Sequence, residues 1–218
     1  MDAAVIAATA LSKSFPPDRH VFDGLTFDVP AGGLLALVGP TQSGKTTLVN
    51  ILMGATAPSE GRATVAGHDV ARDPRPVRAA AAFIGPTAAL YPDLTARDNV
   101  AFFGLAAGVR ASHRDVANSL RRAGVPERCF AQPVSTLPRS RGLQVAMAVA
   151  LLRRPAALII DEPATRADDD MWTNFADGLQ ELRTDGTAVL FTTADATFAA
   201  RLTPHVLSIA RARRDADA

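Results

Sequence analysis

Residues 39–46 read GPTQSGKT, a Gly-x-x-x-x-Gly-Lys-Thr spacing. Residues of these types can grip phosphate. Gly39 and Gly44 let the chain wrap tightly, so that backbone N–H groups point inward at phosphate oxygens. Lys45 is placed to neutralise β- and γ-phosphate charge, and the Thr46 hydroxyl to bind Mg²⁺. The candidate nucleotide-binding set is Gly39, Pro40, Thr41, Gln42, Ser43, Gly44, Lys45, Thr46 and Thr47. A four-position pattern also arises by chance, and the competing reading is a Gly-rich turn between a strand and a helix. Context weighs against that alternative. The apolar run GGLLALV precedes the loop and the helical stretch KTTLVNILM follows it, which is the frame such a loop needs.

A second group lies at Leu158-Ile159-Ile160-Asp161-Glu162. An apolar strand delivers acids at its C-terminal end, where parallel sheets bind ligands. Asp161 is predicted to hold Mg²⁺ through water. Glu162 is predicted to orient or deprotonate an attacking water as general base. The bland alternative is an acidic strand end that caps the next helix. A third stretch, LPRSRGLQ at 137–144, opens a helix that continues as VAMAVALL. Pro138 suits a first helical turn. Arg139 and Arg141 also suit an anion-handling loop, and the residues alone leave both readings open.

These groups need elements to hold them. The 218 residues suit one domain, and 48% hydrophobic with 21% charged residues indicates a folded chain with a sizeable core. The net charge of +1 gives no sign of a nucleic-acid binder. Cys129 is the single cysteine, which excludes an internal disulfide; a small buried apolar role is expected for it. No apolar run approaches the ~20 residues of a membrane span, and the N-terminus lacks a secretory pattern, so a soluble chain is expected. His20, His68, His113 and His205 show no metal-ligand spacing.

Residues 3–38 read as short strands with turns. The apolar run at 79–85 is ambiguous, with strand favoured by Phe83, Ile84 and the following Gly-Pro. From Thr95 to Phe130 the pattern turns helical. Ser112 and Asp115 form a cap pair there, and Gly124 is the stop. Near residues 169–184, Trp172, Phe175, Leu179 and Leu182 share one helix face, so Trp172 is expected in the core. TAVLFTT and HVLSIA are further strands. Strands alternating with helices predict an α/β fold on a mainly parallel sheet, with 95–150 as a helical insertion.

Taken together, these motifs resemble the ATP-binding subunit of an ABC transporter, over about residues 5–213. LVGPTQSGKTTLVNILMG is similar to that family's first nucleotide motif and ALLRRPAALIIDEPAT to its second. SEGRATVAGHDV resembles the next strand-turn, and LYPDLTARDNVAFFGLAAG the start of the helical subdomain. The phrasing is most similar to exporter ATPases serving drug, polyketide or polysaccharide permeases. The resemblance implies a P-loop NTPase core with an N-terminal antiparallel β subdomain and a helical subdomain at about 90–150, all within one domain spanning 1–218. It implies ATP and Mg²⁺ as ligands, and Phe15 as an aromatic stacking on adenine. It also implies a homodimer or a heterodimer with a second ABC ATPase domain. A membrane permease is the expected partner, nucleic acid is not, and the location is the cytoplasmic face of the cell membrane.

The departures are as informative. The family's signature, LSGGQ, falls on Leu137-Pro138-Arg139-Ser140-Arg141, where only the leucine is kept. Pro138 has no N–H to give, and Arg139 puts a long side chain where bare backbone is expected. The expected glutamine falls on Pro86, or on Thr87 if the alignment slips by one. The expected histidine is Ala194, whose methyl group cannot hydrogen-bond phosphate. The middle glycine of the phosphate loop is Gln42, a position expected to favour a glycine conformation. Asp168 is kept after the DEP loop, among unusual neighbours. The expectation is nucleotide binding with slow or absent hydrolysis by the isolated chain. The alternative is a non-hydrolysing structural or regulatory subunit paired with an intact ATPase. A GTPase is disfavoured, because no Asn-Lys-x-Asp stretch is present to read guanine.

Overall fold

The computed structural model describes residues 4–17, 19–86, 89–163 and 169–210. Its architecture is two sheets with helices around them. The first sheet is antiparallel and has the order β2-β1-β4-β5, from β1 (Ala4–Phe15), β2 (Arg19–Pro30), β4 (Glu60–Val65) and β5 (His68–Asp69). The expected short strands are in fact two strands of 12 residues each. They bend rather than stop. The β1–β2 register slips between Ala8 and Leu11, and Ala10 takes a left-handed φ of 46°. Such bulges break the apolar alternation that a sequence reading follows, so one bent strand looks like several.

The second sheet is parallel throughout: β6 (Ala81–Ile84), β7 (Ala157–Ile160), β8 (Ala188–Thr193), β3 (Leu34–Val38) and β9 (Val206–Ser208), in that spatial order. Strands β7 and β8 are buried along their whole length, as strands covered on both faces must be. Their side chains alternate between two cores. Leu158, Ile160, Val189 and Phe191 face one, and Ala157, Ile159, Ala188 and Leu190 face the other.

Seven α-helices and two single-turn 3₁₀ helices (Glu127–Cys129 and Val134–Thr136) complete the described fold: α1 (Lys45–Leu52), α2 (Pro74–Ala80), α3 (Ala96–Ala106), α4 (His113–Arg122), α5 (Arg139–Arg153), α6 (Asp169–Thr184) and α7 (Ala196–Leu202). Helix α1 and the antiparallel sheet cover one face of the parallel sheet through Ile6, Leu11, Leu48, Ile51 and Val65. The other face is covered by α5, with α3, α4 and α6 packed around it. Helix α2 is a correction to the sequence reading, in which 79–85 was one strand. Pro74 starts the helix, Ala79 and Ala80 finish it, and the strand begins only at Ala81. Four consecutive alanines fit either state, so the boundary is set by packing.

The cap pair on α4 forms as expected. Ser112 Oγ accepts from Asp115 N at 3.2 Å, and Ser112 N donates to Asp115 Oδ2 at 2.9 Å. The Ser112 hydroxyl also donates to Asp115 Oδ2 at 2.7 Å; this bond first, and then that from Ser112 N, hold the Asp115 carboxyl below its ordinary pKa. On α6, Phe175, Leu179 and Leu182 are buried. Trp172 is half-buried with its ring 4.6 Å from that of Phe198, which agrees with a packing role. Cys129 is buried, as expected.

Candidate functional site

The site is built where three parallel strands end. Strand β3 feeds the phosphate-type loop at 39–44, β7 feeds Asp161 and Glu162, and β8 ends on Thr192 and Thr193. Gly39 N donates to Thr193 O at 3.2 Å, which ties the first loop to β8. No larger residue fits at Gly39: a Cβ would lie 2.4 Å from Ile209 O and 2.6 Å from Ser43 Oγ. Gly44 has φ of 101° and Gln42 has φ of 67°. The glycine-type conformation expected at Gln42 is therefore present, and a non-glycine residue holds it with backbone strain.

Lys45 opens α1 and is 3% exposed. Its ammonium donates to Gly39 O at 2.7 Å and Pro40 O at 3.0 Å, and pairs with Glu162 Oε1 at 2.9 Å. Thus the loop, the first helix and the second acidic motif meet at one cation. Glu162 itself sits in the left-handed region, with φ of 46°.

Asp161 is 2% exposed and lies behind this pair. Its Oδ1 accepts from Thr192 Oγ1 at 2.7 Å, and the same Oγ1 accepts from Glu162 N at 3.0 Å. Thr192 therefore fixes both acids, a role the sequence reading missed. The signal was the polar TT pair ending an otherwise apolar strand.

A cleft of about 1020 Å³ opens over this centre. Thr41, Gln42, Gly44, Lys45, Thr46 and Thr47 line it from the loop side. Glu162, Pro163 and Thr193 to Ala196 line it from the strand ends, and Pro86, Arg139, Arg19 and Val21 close it. Gly39, Pro40, Ser43 and Asp161 do not line it: Gly39, Ser43 and Asp161 are buried and Pro40 is exposed elsewhere. Phe15, at the end of β1, does not line the cleft. Lys13 Nζ is 4.6 Å from its ring centroid and the Arg19 guanidinium is 6.0 Å away.

The residues fit a bound phosphate chain. Ser43 Oγ is buried and has no partner among the described residues, in a loop whose Gly39 and Pro40 carbonyls accept from Lys45. A buried hydroxyl needs such a partner. They also fit Mg²⁺, a hard cation that takes few protein ligands and completes its shell with phosphate and water. Thr46 and Asp161 offer hydroxyl and carboxylate oxygen for it. Among the described residues no cluster of three His, Cys, Asp or Glu side chains forms a self-sufficient metal site.

The loop at 137–144 is placed as follows. Pro138 caps α5 one position before the expected first turn, its carbonyl accepting from Arg141 N at 2.8 Å. Arg139 Nε and Nη2 donate to Pro86 O at 3.1 and 2.6 Å. Arg141 Nη1 donates to Gln144 Oε1 at 2.6 Å, so that side chain is turned back along its own helix. Asp168, Thr87 and the 211–218 tail lie outside the described residues.

A sequence profile described as "ABC transporter" matches residues 22–165. The cytochrome c biogenesis ATP-binding export protein CcmA of Cupriavidus pinatubonensis is 35% identical, over 80% of this chain and 77% of its own. The daunorubicin resistance ATP-binding protein DrrA2 of Streptomyces coeruleorubidus is 34% identical, over 100% of this chain and 67% of its own. Among solved structures, a dimeric ATP-binding cassette in a post-hydrolysis state with ADP and Pi aligns at a TM-score of 0.83. That alignment covers 95% of this chain and 97% of the other at 21% identity, and shows the shared fold. The strand-loop-helix geometry around Lys45 and these matches agree, and the chain belongs to the ABC transporter family as an ATP-binding subunit.

Proposed function

We propose that this subunit binds Mg-ATP in the cleft above Lys45 and hydrolyses it slowly, to power or regulate a separate membrane permease. The observation that carries the reading is that Gly39 O of the 39–44 loop, at 2.7 Å, and Glu162 Oε1, at 2.9 Å, both meet the Lys45 ammonium, at a cleft that Thr46 and Thr47 line. Lys45 and the loop N–H groups hold the phosphates. Thr46 and Asp161 would hold Mg²⁺, which supplies charge neutralisation at the β- and γ-phosphates. Glu162 orients and deprotonates the attacking water. It must first leave Lys45, because the ammonium's three donors are already committed to Gly39, Pro40 and Glu162. Phe15, beside Arg19, is assigned to the adenine end.

Slow turnover is supported by the side chains around the cleft. Pro86 and Ala194 both line it. By resemblance they stand where the family carries Gln and His, and neither side chain can hydrogen-bond. In a head-to-tail dimer, Pro138 and Arg139 would face the partner's nucleotide in place of a serine and a glycine. The same substitutions favour a second reading, a nucleotide-binding regulatory subunit beside an intact ATPase. Titration with Mg-ATP and a phosphate-release assay separate the two. Binding with turnover that Glu162→Gln removes supports the first. Binding without turnover, even with the permease present, supports the second.

A permease is expected on the helical subdomain at about 90–150. Tyr91, Phe102 and Leu105 are exposed there, and the Tyr91 and Phe102 rings lie 4.9 Å apart. A water-exposed aromatic group of this kind is what a partner covers. No described helix is long and apolar enough to cross a membrane. By its family resemblance the subunit is assigned to the cytoplasmic face, held there by its permease.

A further inference from the structure

We infer that a second cavity, at the β6 edge of the parallel sheet, binds a small carboxylate with an apolar body, of the medium-chain fatty acid class, through Arg153. The cavity shares no lining residue with the nucleotide cleft, and its ligand needs no nucleotide.

Strand β6 is the outermost strand of its sheet. Residues from α2, α3 and α5 enclose a cavity of about 260 Å³ against it. The walls are apolar, with Met53, Phe83, Ile84, Leu90, Phe103 and Val149 the largest residues. Leu90 and Phe103 pack on one core, and Met53 and Phe83 on the other. The cavity thus lies at the seam of the two cores, in a gap that neither fills. Water suits such a space poorly, because a bound water needs polar partners.

Two arginines are the only charged residues of the lining, and no carboxylate is among them. Arg78 is exposed and donates through Nη1 to Gly54 O at 3.0 Å. Arg153, at the end of α5, is half-buried. Its Nη2 donates to Ala81 O at 3.0 Å and to Ala79 O at 3.4 Å. Its Nε is buried and has no partner among the described residues. Burial lowers the pKa of this guanidinium, and no neighbouring carboxylate counters that. A desolvated cation with an unused donor is costly until an anion meets it. A carboxylate suits it, being planar and able to accept from a guanidinium fork. A lone acidic side chain of a partner protein would meet the charge and leave the apolar space empty. A medium-chain acid satisfies both, with its carboxylate on Arg153 and its chain along the walls. The volume falls just below the range of drug-sized sites, about 300–1,000 Å³, which keeps the ligand small.

The test is titration of octanoate, decanoate and 1-decanol, each below its aggregation concentration, into the full chain without nucleotide. Calorimetry gives the affinity, and the Met53 methyl resonance of methionine-labelled protein gives the place. Both carboxylates are expected to move the Met53 resonance saturably. Decanoate is expected to bind about tenfold or more tightly than decanol, the scale of a hydrogen bond to a charged group. Arg153→Gln is expected to remove that preference, and Val149→Phe to fill the cavity and weaken all three ligands. If Arg153→Gln does not fold, Val149→Phe and the comparison of decanoate with decanol on wild type still decide. Equal binding of decanoate and decanol overturns the inference. So does a preference that survives Arg153→Gln, or saturation that leaves the Met53 resonance unmoved. A cavity that takes neither carboxylate, and in which only an acidic peptide moves the Met53 resonance, is a protein contact and also overturns it.

Discussion

The Glu162 carboxylate sits 2.9 Å from the Lys45 ammonium, so a phosphate arriving at Lys45 must compete with it. Removing the charge has two opposed effects. Glu162→Gln should lower phosphate release by roughly 10²–10⁴-fold, the usual contribution of a general base. The same change should leave Mg-ATP affinity equal or higher, because the competing anion is gone. A parallel loss of binding and turnover would mean that Glu162 shapes the loop rather than the chemistry. Thr192 makes a second residue-scale prediction. It is fully buried and its hydroxyl joins Asp161 to the Glu162 backbone. Thr192→Val keeps the shape and strands both partners, which should destabilise the fold by about 1–3 kcal/mol. Urea unfolding measures this, and an unchanged midpoint would contradict the bridging role. Asp161 and Glu162 were legible in the sequence because acids after an apolar strand are distinctive. Thr192 was not, because its role depends on two strands that are 30 residues apart in the chain being neighbours in space.

At the scale of elements, the local signals that were self-contained translated directly into structure. The Ser112–Asp115 capping box needs only four residues, and it formed as read. Its stability should depend on pH in a defined sense. The Asp115 carboxyl is held below its ordinary pKa by the Ser112 hydroxyl and N–H. A depressed carboxyl stabilises the fold above its ordinary pKa, and that contribution fades as pH falls through the lowered value. The melting difference between wild type and Ser112→Ala should therefore be largest near neutrality and narrow in acid. A difference that widens in acid would contradict the assignment. Long-range signals were harder to read. The bend at Ala10 and the antiparallel partners of β1 depend on contacts with β2 and β4, so β1 and β2 looked like several short strands. The split of 79–85 between α2 and β6 depends on the pairing of Ala81 with Ala157, which composition does not reveal.

Across the whole molecule, one parallel sheet brings together ends that are far apart in sequence. Residues 41, 86, 162 and 194 all reach one cleft because β3, β6, β7 and β8 run the same way. Helix α5 reaches that cleft too, through Arg139, while its buried residues Leu143 to Leu151 fill the core behind it. The subunit thus couples a nucleotide cleft to a helical layer bearing the exposed Tyr91, Phe102 and Leu105. The central claim is that this cleft binds Mg-ATP through Lys45 and turns it over slowly. Its most direct test is Mg-ATP titration alongside phosphate release, on wild type and Lys45→Ala. The expected result is binding by wild type, abolished in Lys45→Ala, with phosphate release that is measurable and slow. Mg-ATP binding that survives Lys45→Ala unchanged, or wild type that binds no Mg-ATP, would contradict it.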